Sequence, residues 1–87
     1  VRDCLIERGY EVVRGAGSKG ADLIAGKAGK TYAIEVKNTK TLWSGFGPAR
    51  RKEMRRMCKS AGWIGVLVHF APGETKPTIA FENVWPD

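Results

Sequence analysis

Three residues have the types and spacing for metal-assisted hydrolysis: Asp22, Glu35 and Lys37. Residues 21–25 (ADLIA) and 31–37 (TYAIEVK) read as strands, and the intervening GKAGK as a tight turn. If Ala28 and Gly29 form a two-residue loop, Lys27 faces Lys30 and the residue numbers of every opposed pair add up to 57. Asp22 then lies opposite Glu35, a placement that sets Cβ atoms about 4.5–5.5 Å apart. Lys37 is two residues beyond Glu35 and shares its face, while Leu23, Ile34 and Val36 take the other. A one-residue slip would send Asp22 and Glu35 to opposite faces, so the apolar pattern itself supports the register.

Two adjacent carboxylates repel, and either one takes up a proton or both hold a cation. Their oxygens, with room for water, suit a hard ion such as Mg²⁺ or Mn²⁺. Such an ion polarises a phosphate oxygen and acidifies a bound water. A nearby lysine orients that water or stabilises charge developing at phosphorus. Phosphodiester hydrolysis needs this set of groups. The same residues would also serve as a salt-bridge ladder on a solvated sheet. Their common face, the glycine-rich loop with Ser18 just before Asp22, and the basic remainder of the chain favour the catalytic reading.

The elements that must hold these groups can be read along the chain. Residues 1–8 look like the end of an amphipathic helix with Val1, Cys4 and Leu5 on one side, stopped by Gly9. Because the helical pattern is already under way at Val1, further residues upstream are expected. Residues 10–14 (YEVVR) form a strand, and residues 15–20 (GAGSKG) a loop. Residues 38–47 form a second loop carrying two exposed-looking aromatics, Trp43 and Phe46. Pro48 suits the first position of a helix running to about Ala61, with Met54, Met57, Cys58 and Ala61 toward the core and the arginines largely outward. Gly62 ends it. Residues 64–70 (IGVLVHF) form a strand buried on both faces, and residues 77–83 an edge strand. The expected architecture is a single α/β domain, an αβββαβ core plus one further strand, with a mixed central sheet flanked by helices.

The 87 residues carry a net charge of +6, unevenly spread. Residues 1–18 are neutral overall, and the last fourteen are net acidic. Residues 19–40 hold five lysines, Lys19 and Lys40 among them, and residues 47–60 hold Arg50, Arg51, Lys52, Arg55, Arg56 and Lys59 against Glu53 alone. Like charges so crowded cost stability unless a polyanion uses them, so nucleic acid is the expected partner. Arg50, Arg51 and Arg55 are the helix residues expected on phosphates, giving affinity with strong salt dependence. One histidine excludes a structural zinc site of the usual kind, and Cys4 and Cys58 read as reduced core thiols. His69 reads as a packed or rim residue rather than a base. Trp43 and Phe46 suit either base stacking or cover for the core edge. The longest apolar run, residues 63–70, is too short to span a bilayer and no signal peptide is evident. A cytoplasmic location, with neither membrane nor small-molecule cofactor, is the expectation. A thin core in so small a domain also favours a homodimer.

Residues 22–25 (DLIA), a short turn and residues 32–37 (YAIEVK) resemble the PD-(D/E)xK nuclease superfamily. The run ERGYEVVRGAGSKGADLIAG is most similar to archaeal-type Holliday junction resolvases, over roughly residues 4–40. The resemblance implies a restriction-endonuclease-like fold and a metal held by Asp22, Glu35 and the carbonyl of Val36. It implies Lys37 as the catalytic lysine, Ser18 at a phosphate or supporting the site, Arg14 on DNA, and a homodimer acting on branched or four-way DNA. There are departures. The family's first-helix glutamate would align just before Val1, and Glu7 aligns with a solvent-facing family position. Ala21 stands in place of the signature proline, and Glu53 stands near a family glutamine. Two other readings stay open: a general or other structure-specific nuclease of the superfamily, and a non-catalytic basic DNA-binding module.

Overall fold

The computed structural model describes residues 2–14 and 23–86, with all side chains except those of Arg2 and Arg14. A short helix α1 (Arg2–Glu7) leads through Gly9 into β1 (Glu11–Arg14). Then come β2 (Leu23–Lys27), β3 (Lys30–Asn38), helix α2 (Pro48–Ala61), β4 (Ile64–Phe70) and β5 (Thr78–Phe81), followed by a 3-10 turn (Glu82–Val84). The expected order of elements is observed. The strands form one sheet in chain order, β1 to β5. All neighbours are antiparallel except β3 and β4, which run parallel because α2 returns the chain between them.

The β2–β3 hairpin has the register expected from the sequence: Lys27 pairs with Lys30, Ala25 with Tyr32 and Leu23 with Ile34. Its two loop residues, Ala28 and Gly29, both have positive φ, 55° and 79°. Such a primed turn follows the right-handed twist of the strands, but it forces Ala28 into a region L residues avoid.

Each face of the sheet has its own core. On the α2 side Ala33 and Leu67 meet Met54 and Cys58 of the helix, Phe46 of the preceding loop and Trp85 near the C-terminus. On the α1 side Leu23, Ala25, Ile34, Val66 and Val68 pack with Leu5, Tyr10 and Tyr32. The central strand β4 is therefore covered on both faces, as its nearly continuous apolar run predicts.

Several expectations are corrected here. Phe46 is fully buried, not exposed, and stands edge-on to Trp85 at 5.0 Å between centroids. Met54, Met57 and Cys58 of α2 face the core as expected, but Arg51 joins them one turn earlier and Ala61 is exposed at the helix end. Arg51 can occupy that inward place because its charge finds carbonyl partners there. Cys4 is exposed, so only Cys58 is a core thiol. The last strand stops at Phe81 rather than near Asn83, since residues 82–84 turn into 3-10 geometry.

Burial, reinforced by the negative charge of Glu82 and a hydrogen bond to it, raises the Cys58 thiol from 9.0 to about 11. The unfolded chain therefore loses this proton before the folded one does, and stability falls as pH rises from 9 toward 11. Thermal melts across that window should show a smaller alkaline decline in Cys58→Ala than in the wild type, and a thiol reagent on the native protein should label Cys4 alone. Ala28→Asn, which suits the left-handed turn, should stabilise the fold by about 1 kcal/mol, or roughly 4–8 °C in the melting temperature.

Candidate active site

Alternation along β3 sets Ala33 and Glu35 toward α2, and Ile34 and Val36 toward the other core. Glu35 is only 4% exposed. A carboxylate this deep needs compensating partners. Each of its oxygens faces a cation: Oε1 accepts from Arg50 Nη2 at 3.3 Å, and Oε2 lies 3.5 Å from Lys37 Nζ. Arg50 sits in the first turn of α2 and also reaches Glu53, one turn on, at 4.0 Å. Lys37 and Arg50 are each partly exposed, so the cluster opens to solvent on their side.

The loop after β3 shapes this opening. Thr39 Oγ1 and Ser44 Oγ both donate to the Thr41 carbonyl, folding the loop on itself. Gly45 lies against the Lys37 stem, where an added Cβ would fall 3.3 Å from Lys37 Cδ and 2.9 Å from Thr39 Cγ2. A side chain here would force Thr39 to shift and crowd the lysine stem. His69, beside Lys37 in the parallel register, is buried and donates from Nε2 to the Thr39 carbonyl at 2.8 Å. It anchors the loop, in line with the packed role read for it.

The basic residues of α2 divide into two sets. Arg51 is buried; it donates to the carbonyls of Phe46 (2.7 Å) and Pro86 (2.8 Å) and stacks over the Trp43 ring. Arg55 donates to the carbonyls of Glu82 and Trp85. Both are residues the sequence assigns to DNA; in the structure they clamp the C-terminal segment to the helix. Lys52, Arg56 and Lys59 are the exposed set. Their spacing of four and three residues puts them on one outward stripe.

Residues 1–43 match the family model described as archaeal Holliday junction resolvase (hjc). A search of curated proteins finds no significant match. Among solved structures, one similar chain is Archaeoglobus fulgidus Hjc, a Holliday junction resolvase from an archaeal hyperthermophile. The superposition has a TM-score of 0.70 at 22% identity, and covers 94% of this chain and 69% of that one. The chain resembles the archaeal Holliday junction resolvases. Its α/β architecture, a mixed five-stranded sheet with helices, is the fold of that resolvase.

Among the sequence-predicted site residues of this resolvase-like chain, the structure brings Glu35 and Lys37 together on one face of β3. Val36 stands between them with its side chain in the opposite core. Asp22, Ser18 and Lys19 lie outside the described residues, as does the Arg14 side chain. Lys40 is exposed in the loop. Arg50 belongs to the Glu35 cluster, a contact that no linear spacing announces, since residue 35 and residue 50 meet only through the crossover. Among the described residues no three of His, Cys, Asp and Glu gather as metal ligands.

Removing the Arg51 guanidinium strands two carbonyls that it now satisfies. Arg51→Ala should lower stability by roughly 2–3 kcal/mol in a denaturant titration and leave the salt dependence of DNA binding unchanged. A stable variant with a shallower salt slope would return Arg51 to the DNA surface.

Proposed function

We propose that this chain is a metal-dependent endonuclease that hydrolyses phosphodiester bonds in branched DNA, in the manner of a Holliday junction resolvase. The reading is carried by the buried Glu35 carboxylate beside Lys37, on a strand whose hairpin register, extended by one pair, would set Asp22 opposite Glu35. The family match over residues 1–43 supports the same assignment.

The donor set suits Mg²⁺ or Mn²⁺. Carboxylate oxygens from Glu35 and Asp22 and the Val36 carbonyl are hard ligands, and no soft ligand is among them. The ion, when bound, supplies Lewis acidity toward a phosphate oxygen and a more acidic water. Lys37 then holds the attacking water or offsets charge gathering on the phosphate. Water adds across the P–O bond, and the leaving alkoxide takes up a proton. Arg50 adds positive charge at the rim, and the first turn of α2 carries no acid to repel a phosphate. Lys52, Arg56 and Lys59 form an exposed track for backbone phosphates, and Lys40 is exposed in the loop after β3. Arg14, Ser18 and Lys19 are assigned to DNA on the sequence and its family resemblance alone. A homodimer is the expected assembly, because a four-way junction presents two equivalent strands to cut. The site of action would be the cytoplasm, and among the described residues no helix is long and apolar enough to cross a membrane.

Labelled four-way, flap and linear DNA, each incubated with Mg²⁺ and with chelator, test the proposal. Paired symmetric nicks confined to the four-way substrate are expected. They should vanish with chelator and fall roughly 100-fold or more in Asp22→Asn and Glu35→Gln. Cleavage of every substrate would reassign the chain as a general nuclease, and binding without cleavage as a DNA-binding module. Replacing Lys52, Arg56 and Lys59 together by alanine should weaken binding and reduce the salt slope by about 3. An unaltered slope would remove this stripe from the contact surface.

A further inference from the structure

We infer that Arg50 is a resident counter-cation of Glu35 that a divalent ion must displace, and that DNA phosphate draws it away, so that DNA and metal binding reinforce each other. The inference rests on Glu35 being a metal ligand. With Arg50 at 3.3 Å from one oxygen and Lys37 at 3.5 Å from the other, both oxygens of this buried carboxylate already face positive charge. A divalent ion coordinated at about 2.1 Å would press directly against both cations.

Arg50 is the one built to yield. Lys37 is only two residues along the same interior strand, and its stem is flanked by Gly45 and Thr39. Arg50 projects from the first turn of a different element, is partly exposed, and has Glu53 one turn along as an alternative partner. Its planar fork also matches two phosphate oxygens, which an ammonium group cannot engage in the same way. A phosphate at the rim would therefore compete with Glu35 for the guanidinium and leave the carboxylate available. Linkage then requires the reverse: metal on Glu35 frees Arg50 for DNA and tightens DNA binding by the same factor.

The test uses Mn²⁺ alone, its free form followed by electron paramagnetic resonance, with wild type, Arg50→Gln, Arg50→Lys and Glu35→Gln. Each is measured with and without a four-way DNA, after subtracting the Mn²⁺ that DNA holds by itself. Melts by circular dichroism check that each variant is folded. Without DNA, Arg50→Gln should bind Mn²⁺ about 10-fold tighter than wild type, while Arg50→Lys stays near wild type. DNA should tighten Mn²⁺ binding more in the wild type than in Arg50→Gln, by about the same factor. Glu35→Gln should lose the site. If Glu35→Gln loses Mn²⁺ but Arg50→Gln binds no better than wild type, Arg50 does not compete and the nuclease reading survives alone. Equal gains in Arg50→Gln and Arg50→Lys would also overturn the inference, because charge would not be the cause. If Glu35→Gln binds Mn²⁺ like the wild type, or the wild type binds none, the metal-site reading falls and takes this inference with it.

Discussion

A carboxylate enclosed between a sheet and a helix is the constraint around which this molecule is arranged. Glu35 sits almost fully out of water on an interior strand. An unpaired charge in that position would cost several kcal/mol, enough to consume most of the stability of a small domain. Its compensation comes from two directions: Lys37 along the same strand, and Arg50 from the opening turn of α2. The second partner fixes where the helix must begin. The loop from residue 39 to 47 accordingly folds tightly on Thr41, drops Phe46 into the core and hands over to Pro48 at the helix start.

Much of this was legible in the sequence because short-range rules govern it. The hairpin register followed from alternation and a two-residue turn, and it matches the observed pairing residue for residue within the described span. The crossover helix and the doubly covered β4 followed from periodicity and from an apolar run. Glu35 and Lys37 share a face because they lie two residues apart on a strand. The errors arose where long-range contacts decide. Arg51 reads as surface in any helical pattern, and only the carbonyls of Phe46 and Pro86, brought in by the fold, make its burial tolerable. Phe46 looked exposed because loop residues have no periodicity to mark them. The Arg50–Glu35 pair spans an entire crossover, and charge counting alone could not distinguish it from a solvated arginine.

Charge counting also overstated the basic surface of α2. Six cations look like one polyanion-binding face, but Arg50 is paired with Glu35 and both Arg51 and Arg55 donate to backbone carbonyls. The exposed cations of the helix are Lys52, Arg56 and Lys59, with Arg50 and Arg55 partly exposed. Helix α2 therefore has distinct sides: a clamp toward the C-terminal segment, a link to the acidic centre, and a narrow basic strip. Mutating the helix arginines as a group would mix stability with binding, and the two effects would be inseparable in a binding assay.

The clamped C-terminal segment bears on how these molecules behave when crowded. One of the two edge strands, β5, is only four residues long; Pro77 precedes it, and the chain then leaves the sheet in a 3-10 turn held by Arg55. A free sheet margin is a template on which other chains add in register and grow into aggregates. Here the margin is cut short at both ends, so few backbone groups remain in line for such growth. The two arginines of the clamp thus help to keep copies of the chain from joining edge to edge along this margin.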